Sequence, residues 1–333
     1  MRILVAGGAG YIGSQACKAL TRAGHVPIVI DDLSTGNDWA VRWGALVQGS
    51  IGDYDLVSRV LRVEKIDAVM HFAASAYVGE SMAQPQKYFR NNVVNTLSLL
   101  DAMREAEVKH IVFSSTCATY GDPVRLPIDE SHPQNPVNPY GDSKLFIEKV
   151  LRWYGEAYGL RWAALRYFNA AGADVEGDIG EAHDPEPHLI PLVIQAARGE
   201  RPAVSILGTD YATPDGTAIR DYIHVEDLAQ AHILAIQHLA DGGEVGAFNL
   251  GTGKGYSVRE VIAAVEKHSG RKVPVEETNR RIGDPERLVA SAERAREILG
   301  WRPIHDLDSI VATAWTWEVR KSKLEAALPQ EER

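Results

Sequence analysis

A tyrosine and a lysine stand four positions apart in the segment Tyr140-Gly-Asp-Ser-Lys144, directly after Pro139. Side chains at this spacing share one face of a helix, so the phenol and the ammonium group would point the same way. A nearby cation stabilises a phenolate. We therefore expect Lys144 to lower the pKa of Tyr140 toward neutrality, as a general base acting on an alcohol requires. The pair alone is weak, because surface tyrosines and lysines often meet at this spacing by chance.

Three hydroxyl side chains, Ser114-Ser115-Thr116, close an apolar run that is predicted as the fifth strand. In open α/β sheets, ligands bind at the carboxyl ends of the strands, where Thr116 would lie. Its hydroxyl can share a hydrogen bond with the tyrosine and with a substrate oxygen. Beside a nicotinamide, Thr116, Tyr140 and Lys144 are suited to moving hydride to or from a carbinol carbon.

A glycine-rich turn, Gly7-Gly8-Ala9-Gly10-Tyr11-Ile12-Gly13, follows the first predicted strand and opens a helix. This spacing is typical of turns that bring backbone N–H groups and a helix N-terminus against a pyrophosphate. Asp31 ends the second strand near the expected offset of about 20 residues, where a carboxylate binds the adenosine ribose and repels a 2′-phosphate. We therefore predict NAD rather than NADP. The alternative is a turn that serves helix packing only, with Asp31 and Asp32 as solvated loop residues.

Short apolar runs alternate with longer segments of helical periodicity in the first half of the chain. The predicted strands are residues 3–5, 26–30, 45–47, 66–71, 109–113 and 160–167. The clearest predicted helices are residues 85–105 and 139–158. Continuous apolar strands indicate burial on both faces, and βαβ alternation then favours a Rossmann-like, doubly wound parallel sheet of the α/β class.

The regular alternation of predicted strands and helices ends after Asn169. The predicted elements there are a loop or lid at 170–188, a helix at 189–198, a loop at 208–216, a strand and helix at 222–239, a strand at 247–250 and a charged helix or disorder at 321–333. Ser257-Val-Arg-Glu260 fits a capping box that opens a helix ending near His268. We expect an NAD-binding domain of residues 1–169, with returning segments at about 217–252, and a smaller C-terminal substrate lobe of residues 170–216 and 253–333.

Composition excludes several classes of protein. The chain has 333 residues, with 35 basic and 45 acidic side chains and a formal charge of −10, so it has no basic excess for nucleic acid. No apolar run approaches the roughly 20 residues of a membrane span and no secretory leader is recognisable, so we expect no membrane contact and a cytoplasmic protein. The two cysteines, Cys17 and Cys117, cannot form a disulfide framework. No metal spacing links His71, His188 and His224, to which we assign neither a metal nor catalysis.

Longer strings resemble those of a known family. Leu165-Arg-Tyr-Phe-Asn169, with the glycine turn and Ser-Ser-Thr before Tyr-x-x-x-Lys, resembles the extended short-chain dehydrogenase/reductases. Over nearly the whole chain, six further strings are similar to the UDP-glucose (UDP-galactose) 4-epimerase family within that group. They are His71-Phe-Ala-Ala74, Val78-Gly-Glu-Ser81, Asp215-Gly-Thr217, Arg220-Asp-Tyr-Ile-His-Val-Glu-Asp227, Asn249-Leu-Gly-Thr-Gly253 and Arg280-Arg-Ile-Gly-Asp284.

This resemblance implies tightly held NAD that is reduced and reoxidised within each turnover. Tyr140 would take the proton of the sugar 4-hydroxyl group while hydride passes from C4 to nicotinamide, and the 4-keto sugar would then turn and receive hydride on its other face. The implied catalytic residues are Thr116, Tyr140 and Lys144.

The resemblance also implies the residues that contact the ligands. The NAD contacts would be Gly7, Gly10, Tyr11, Ile12, Gly13, Asp31, Ser34, Gly36, Ile51, Phe72, Ala73, Asn92, Thr116, Lys144 and Phe168. The UDP-sugar contacts would be Thr116, Tyr140, Asn169, Leu189, Leu207, Arg220, Arg281 and Asp284. The family further implies a homodimer, for which the predicted helices at 85–105 and 139–158 are the candidate contact.

Two arginines agree with this implication, because Arg220 and Arg281 are forked donors able to hold the phosphates of UDP in an otherwise acidic chain. The alternative is that they pair with the neighbouring Asp221 and Asp284 on the surface.

Four positions depart from the family pattern. Ser50 stands where a carboxylate often contacts adenine, Ala76 where some members carry a lysine near the NAD phosphates, and His188 where some have an asparagine that contacts the substrate. Leu288 occupies the position thought to gate N-acetylated sugars, intermediate between a bulky tyrosine and smaller residues. UDP-GlcNAc/UDP-GalNAc therefore remain alternative substrates, and so does a UDP-pentose, because a UDP-pentose 4-epimerase would use the same residues.

Two rival activities use the same scaffold. A 4,6-dehydratase would need an Asp-Glu pair after the Ser-Ser-Thr segment, where this chain has Cys117-Ala-Thr119. A non-catalytic, NAD-binding regulator is disfavoured because Thr116, Tyr140 and Lys144 are all intact.

Overall fold

A computed structural model of the chain describes residues 1–281 and 284–327. In chain order the strands are β1 (Arg2–Ala6), β2 (Val26–Asp31), β3 (Ala45–Gln48), β4 (Ala68–His71), β5 (His110–Thr116), β6 (Arg161–Tyr167), β7 (Asn169–Ala171), β8 (Val204–Leu207), β9 (Ile219–Arg220), β10 (Tyr222–His224), β11 (Gly246–Leu250), β12 (Tyr256–Ser257), β13 (Val275–Thr278) and β14 (Arg287–Leu288). The helices are α1 (Tyr11–Arg22), α2 (Tyr54–Val63), α3 (Val78–Ala83), α4 (Pro85–Tyr88), α5 (Asn95–Glu105), α6 (Pro139–Tyr158), α7 (Leu189–Arg198), α8 (Val225–Ala240), α9 (Val258–Ser269), α10 (Glu293–Ile298) and α11 (Leu307–Ala327).

Seven strands form one parallel sheet in the order β3-β2-β1-β4-β5-β6-β11. Alternate residues of the central strand β1 enter two different cores. Ile3 and Val5 pack in a cluster with residues of α1 and α8, whereas Leu4 and Ala6 pack with residues of α2, α5 and α6. Burial on both faces explains the unbroken apolar run of this strand. The predicted Rossmann-like, doubly wound α/β class is confirmed.

The second half of the chain adds a smaller set of elements beside the carboxyl edge of the sheet. A third core cluster is built from α7, β8, α9 and α11. Strand β8 pairs with β13, and β9 lies between β12 and β14 in a three-stranded sheet. By contrast, β11 returns to the main sheet beside β6, and α8 packs against α1.

Helix α6 occupies the predicted residues 139–158. Its start is fixed by Asn138, whose side chain accepts a hydrogen bond from the Gly141 N–H at 2.8 Å, and by Pro139 in the first turn. It ends at Gly159, which adopts the left-handed conformation with φ 72°. These caps hold Tyr140 in the first turn of the helix and Lys144 one turn later.

Several segments differ from the sequence-based prediction. The helix predicted at 85–105 consists of α4, a π-helical segment Phe89–Val94 and α5, because apolar spacing does not distinguish a π turn from an α turn. The loop predicted from residue 170 begins two residues later, because Asn169–Ala171 is a strand paired with β10. The capping box at Ser257 is confirmed, and helix α9 ends at Ser269. Of the predicted tail, residues 321–327 are helical and 328–333 lie outside the described residues.

None of the helices in the described ranges combines the length and the apolar character that a membrane crossing needs.

Candidate active site

The glycine turn connects β1 to α1 at the carboxyl edge of the sheet. A Cβ atom on Gly7, whose φ is +82°, would lie 2.5 Å from the Ala73 nitrogen, and one on Gly13 would lie 2.1 Å from the Gly7 oxygen. Close packing therefore explains why Gly7 and Gly13 cannot be larger residues. It does not explain Gly10, where a Cβ atom would meet only the Gly7 oxygen at 3.4 Å. Gly10 begins α1 without a side-chain cap, so the first turn keeps backbone N–H groups available to an anion.

Asp31 ends β2 next to this turn and is only 8% exposed. Its two carboxylate oxygens accept hydrogen bonds from the Ala9 and Leu33 N–H groups, each at 2.9 Å, while burial raises its pKa. A Cβ atom on Gly36 would lie 2.8 Å from one of these oxygens. Asp31 is thus an acceptor held in place beside the backbone of Gly36. It is not a solvated loop residue. Because a carboxylate has about four acceptor positions, it can bind further hydroxyl groups.

The loop after β4 closes the other side of the glycine turn. The Phe72 and Ala73 N–H groups both donate to the Ala6 carbonyl oxygen, at 2.8 and 3.0 Å. The buried Asn92 side chain accepts from the Ser75 N–H at 2.8 Å and donates to the Ser143 hydroxyl at 3.0 Å. The π-helical segment thereby ties this loop to α6, one residue before Lys144.

The predicted catalytic residues converge at the end of β5. Lys144 is 2% exposed; its Nζ atom donates to the Ser114 carbonyl oxygen at 2.8 Å and lies 5.9 Å from the centre of the Tyr140 ring. Thr116 is buried, and its hydroxyl oxygen accepts from the Ala118 N–H at 3.1 Å. The three side chains thus belong to one corner between β5 and α6.

The predicted direction of the Tyr140 pKa shift is wrong for the folded chain. Burial raises the pKa of Tyr140 to about 12, with the Thr116 hydroxyl acting in the opposite direction. Burial also lowers the pKa of Lys144 to about 7, with Glu148 opposing it. Desolvation disfavours the charged form of both groups, and the sequence does not reveal how deeply either of them is buried.

Glu148 was not singled out from the sequence, although it follows Lys144 by one helical turn. Its carboxylate accepts from the Ser115 hydroxyl at 2.5 Å and from Arg166 at 2.9 and 2.6 Å. Arg166 also donates to the Tyr120 hydroxyl at 2.8 Å. The i, i+4 spacing of Lys144 and Glu148 is the signal that could have indicated this buried network.

Apart from Thr116 and Tyr140, the residues predicted to hold a UDP-sugar lie on or between the smaller elements that follow β6. Arg220 is half-buried and donates to Asp284 and to the Ile219 carbonyl oxygen. The pair with Asp284 is one part of the alternative drawn from the sequence, in which the two arginines pair with neighbouring carboxylates. Asp221 does not pair with it, since its buried carboxylate accepts from the Thr252 hydroxyl at 2.6 Å and from the Thr252 N–H at 2.8 Å.

The remaining predicted residues differ in burial and in hydrogen bonding. The Tyr11 hydroxyl donates to the Gly172 carbonyl oxygen at 2.5 Å, and the Asn169 side chain donates to the Asp221 carbonyl oxygen at 2.9 Å. Buried positions are Ile51 and Phe168; half-buried positions are Ile12, Leu189 and Leu207; exposed positions are Ser34 and Arg281.

Leu288, at the end of β14, is half-buried against a small apolar cluster that includes Cys117, Tyr120, Ile128 and Phe168. It therefore lies close to the β5–α6 corner.

The chain resembles known proteins in both sequence and structure. Residues 3–251 match the model of the NAD dependent epimerase/dehydratase family. The UDP-glucose 4-epimerase of Halalkalibacterium halodurans is 53% identical over 318 residues, which cover 95% of both chains. The crystal structure of UDP-glucose 4-epimerase from Brucella ovis in complex with NAD superposes with a TM-score of 0.93 at 53% identity, over 94% of this chain and 97% of that one. The enzyme from Bifidobacterium longum in complex with NAD+ and UDP gives a TM-score of 0.91 at 39% identity, over 97% and 99% of the two chains.

Proposed function

This chain belongs to the NAD dependent epimerase/dehydratase family, and from that premise we propose that it is an NAD-dependent UDP-glucose 4-epimerase. It interconverts UDP-glucose and UDP-galactose through a 4-keto sugar. The observation that carries the proposal is the convergence of Thr116, Tyr140 and the buried Lys144 beside the glycine turn. Relatives that share about half of the sequence over nearly its whole length bear the same name.

The residues at the carboxyl edge fit NAD. The uncapped start of α1 and the open face of Gly10 suit a pyrophosphate, and the fixed Asp31 carboxylate suits a ribose diol. When bound, the oxidised nicotinamide supplies a hydride acceptor and a positive charge. The proposed NAD contacts are Gly7, Gly10, Tyr11, Ile12, Gly13, Asp31, Ser34, Gly36, Ile51, Phe72, Ala73, Asn92, Thr116, Lys144 and Phe168.

Tyr140 is the proposed general base. In its phenolate form it takes the proton of the sugar 4-hydroxyl group when hydride leaves C4, and the resulting phenol returns the proton when hydride arrives on the other face. Thr116 favours the phenolate, as its effect on the Tyr140 pKa indicates. Lys144 uses one N–H to bond the Ser114 carbonyl oxygen and keeps two donors, which can hold a ribose.

The UDP-sugar is proposed to lie across the cleft from the sheet, where it contacts Thr116, Tyr140, Asn169, Leu189, Leu207, Arg220, Arg281 and Asp284. Arg220 is a suitable diphosphate ligand because its half-buried guanidinium bonds one carboxylate and one carbonyl oxygen among the described residues, and it has five N–H donors. We accordingly divide the chain into an NAD-binding domain of residues 1–169 with 217–252 and a UDP-sugar lobe of 170–216 and 253–333.

A homodimer is part of the proposal. Four large apolar side chains of the helical segments at 85–105 and 139–158 are 40% to 59% exposed, namely Phe89, Val94, Phe146 and Trp153. A second copy of the chain would cover such a patch. Two free, buried cysteines, Cys17 and Cys117, agree with a cytoplasmic location.

The test is to incubate the purified protein with UDP-galactose, without added NAD, and to follow UDP-glucose by anion exchange. Conversion supports 4-epimerisation with retained cofactor. No conversion, also with NAD supplied, refutes the UDP-hexose assignment and directs the same assay to UDP-GlcNAc and a UDP-pentose.

A further inference from the structure

Two glutamates and two histidines alternate in the loop between β7 and α7. Glu181, His183, Glu186 and His188 each offer one potential ligand atom, and these atoms lie within 4.8 Å of one another. We name this group the 181–188 cluster. The His183 Nδ1 atom lies 3.1 and 3.6 Å from oxygens of the two carboxylates, and the His188 Nδ1 atom lies 2.6 and 2.9 Å from them. These separations bracket the edge of about 3.3 Å expected for a tetrahedron of ligands around zinc.

The charges of the cluster allow one divalent cation to take the place of two imidazolium groups. The side chains of Glu181 and Glu186 are 7% and 8% exposed, and their ion pairs within the described residues are with histidines only. Two buried carboxylates need compensation, which two imidazolium groups or one divalent cation can supply. The His183 Nδ1 atom is buried and faces both carboxylates, so within the described part of the chain it is directed into the cluster.

We propose that the 181–188 cluster is a structural binding site for Zn2+. Two imidazole nitrogens and two carboxylate oxygens give four ligands, and a site closed by four protein ligands is typical of structural zinc.

Two other clusters of potential ligands lack these properties. The carboxylates of Asp174, Glu176 and Asp178 surround the Lys18 ammonium group, which bonds Asp174 at 2.7 Å. Arg22 pairs with Glu176 and Arg42 with Asp178, so three cations offset the three carboxylates. In the cluster around His224, both ring nitrogens are engaged: Nδ1 accepts from the Glu226 N–H at 3.1 Å, and Nε2 lies 3.0 Å from the Thr313 hydroxyl. Among these three, the 181–188 cluster alone offers four ligand atoms, from two imidazole rings and two buried carboxylates.

The position of the cluster indicates what zinc would do there. The Trp317 indole N–H donates to the Glu181 carbonyl oxygen at 2.8 Å, and Trp317 stacks on Trp39 at 5.5 Å, so one end of the loop is anchored. The His183 ring meets Tyr11 edge-on at 6.4 Å. Zinc would therefore fasten the loop between this anchor and the first turn of α7, beside the start of α1.

The experiment uses the purified full-length protein with its retained cofactor, treated with a chelator and then dialysed against zinc. We expect about one zinc per chain by mass spectrometry of the metal, with a dissociation constant in the micromolar range or below. Co2+ in its place should give the intense visible absorption of a tetrahedral site. His183→Gln and Glu186→Gln should each weaken zinc binding at least about tenfold. His268→Gln, which changes a histidine at the end of α9, is the matched control and should bind zinc within about twofold of the wild type.

Three results would overturn the proposal. One is a wild-type protein that holds less than about 0.1 zinc per chain at 100 micromolar free metal, which would leave the cluster as ion pairs only. Another is an octahedral Co2+ spectrum. The third is zinc binding that His268→Gln reduces as much as His183→Gln does. The Co2+ spectrum is recorded on the wild type, so it remains decisive if a variant fails to fold.

Discussion

The two sides of the cleft hold their polar groups in different ways. On the sheet side, Asp31, Thr116 and Lys144 are buried, and each is fixed by backbone partners at the end of a parallel strand. On the opposite side, Arg220 lies in a two-residue strand and Arg281 is exposed in the adjoining segment. Proton and hydride transfer require placement within tenths of an ångström, whereas a diphosphate tolerates more variation in its ligands. The difference predicts that substitutions on the sheet side reduce kcat and that those on the opposite side raise KM.

The largest effect is expected from Tyr140→Phe, which removes the proposed base and leaves the packing of the ring. We expect kcat to fall about 100- to 10,000-fold while NAD content and the circular dichroism spectrum are unchanged. Tyr154→Phe is the matched control on the same helix, since its hydroxyl bonds only Asp101 among the described residues. Near-normal turnover of Tyr140→Phe would refute the base assignment.

Arg220→Lys tests the opposite side of the cleft. Lysine keeps the charge and loses the forked geometry, so we expect KM for UDP-galactose to rise about 10- to 100-fold with kcat within about threefold. Steady-state kinetics measure the split, with Arg280→Lys as the control, because Arg280 is engaged with Asp210 and the Tyr211 ring. A fall in kcat without a change in KM would contradict the proposed difference between the two sides.

The buried Lys144 predicts a pH dependence of stability in NAD-free protein. Burial lowers its pKa from 10.5 to about 7, so between these values the unfolded chain binds a proton that the folded chain lacks. The free energy of unfolding therefore increases with pH through this window, by up to about 1.4 kcal/mol per pH unit. Relative to Lys144→Met, the wild type should become more stable from pH 7 to pH 10 in urea titrations. The exposed Lys149→Met is the control and should follow the wild type. Parallel curves for Lys144→Met and the wild type would show that Lys144 is not buried as described.

The smallest effect concerns the choice of sugar. Leu288 is half-buried beside the β5–α6 corner, and a larger side chain there reduces the space next to the substrate. Leu288→Tyr should lower any activity on UDP-GlcNAc at least about tenfold relative to UDP-galactose, with Leu288→Ile as the conservative control. Equal loss of both activities would count against a gating role.

The sequence predicted some of this architecture because the signals were local. Helix α6 was bounded by Asn138, Pro139 and Gly159, each of which acts on its own turn of the chain. The strands were recognisable because both faces of the sheet are buried.

Other features depend on contacts between distant segments. The pairing of Arg220 with Asp284 spans 64 positions, and no local pattern distinguished it from a pair with the neighbouring Asp221. The pKa of Tyr140 depends on burial by other segments, so the local effect of Lys144 gave the wrong direction. The sequence did not indicate the 181–188 cluster, because His188 was considered without His183, which lies five positions earlier in an irregular loop.

The central claim is that hydride leaves C4 of the sugar and returns to the same carbon within one active site. The most direct measurement is the conversion of UDP-galactose deuterated at C4, in ordinary water and without added NAD, followed by mass spectrometry and NMR of the UDP-glucose formed. The account predicts that the deuterium remains at C4 of the product, because the hydride never exchanges with solvent. Conversion with loss of the label to water would contradict transfer through bound NAD.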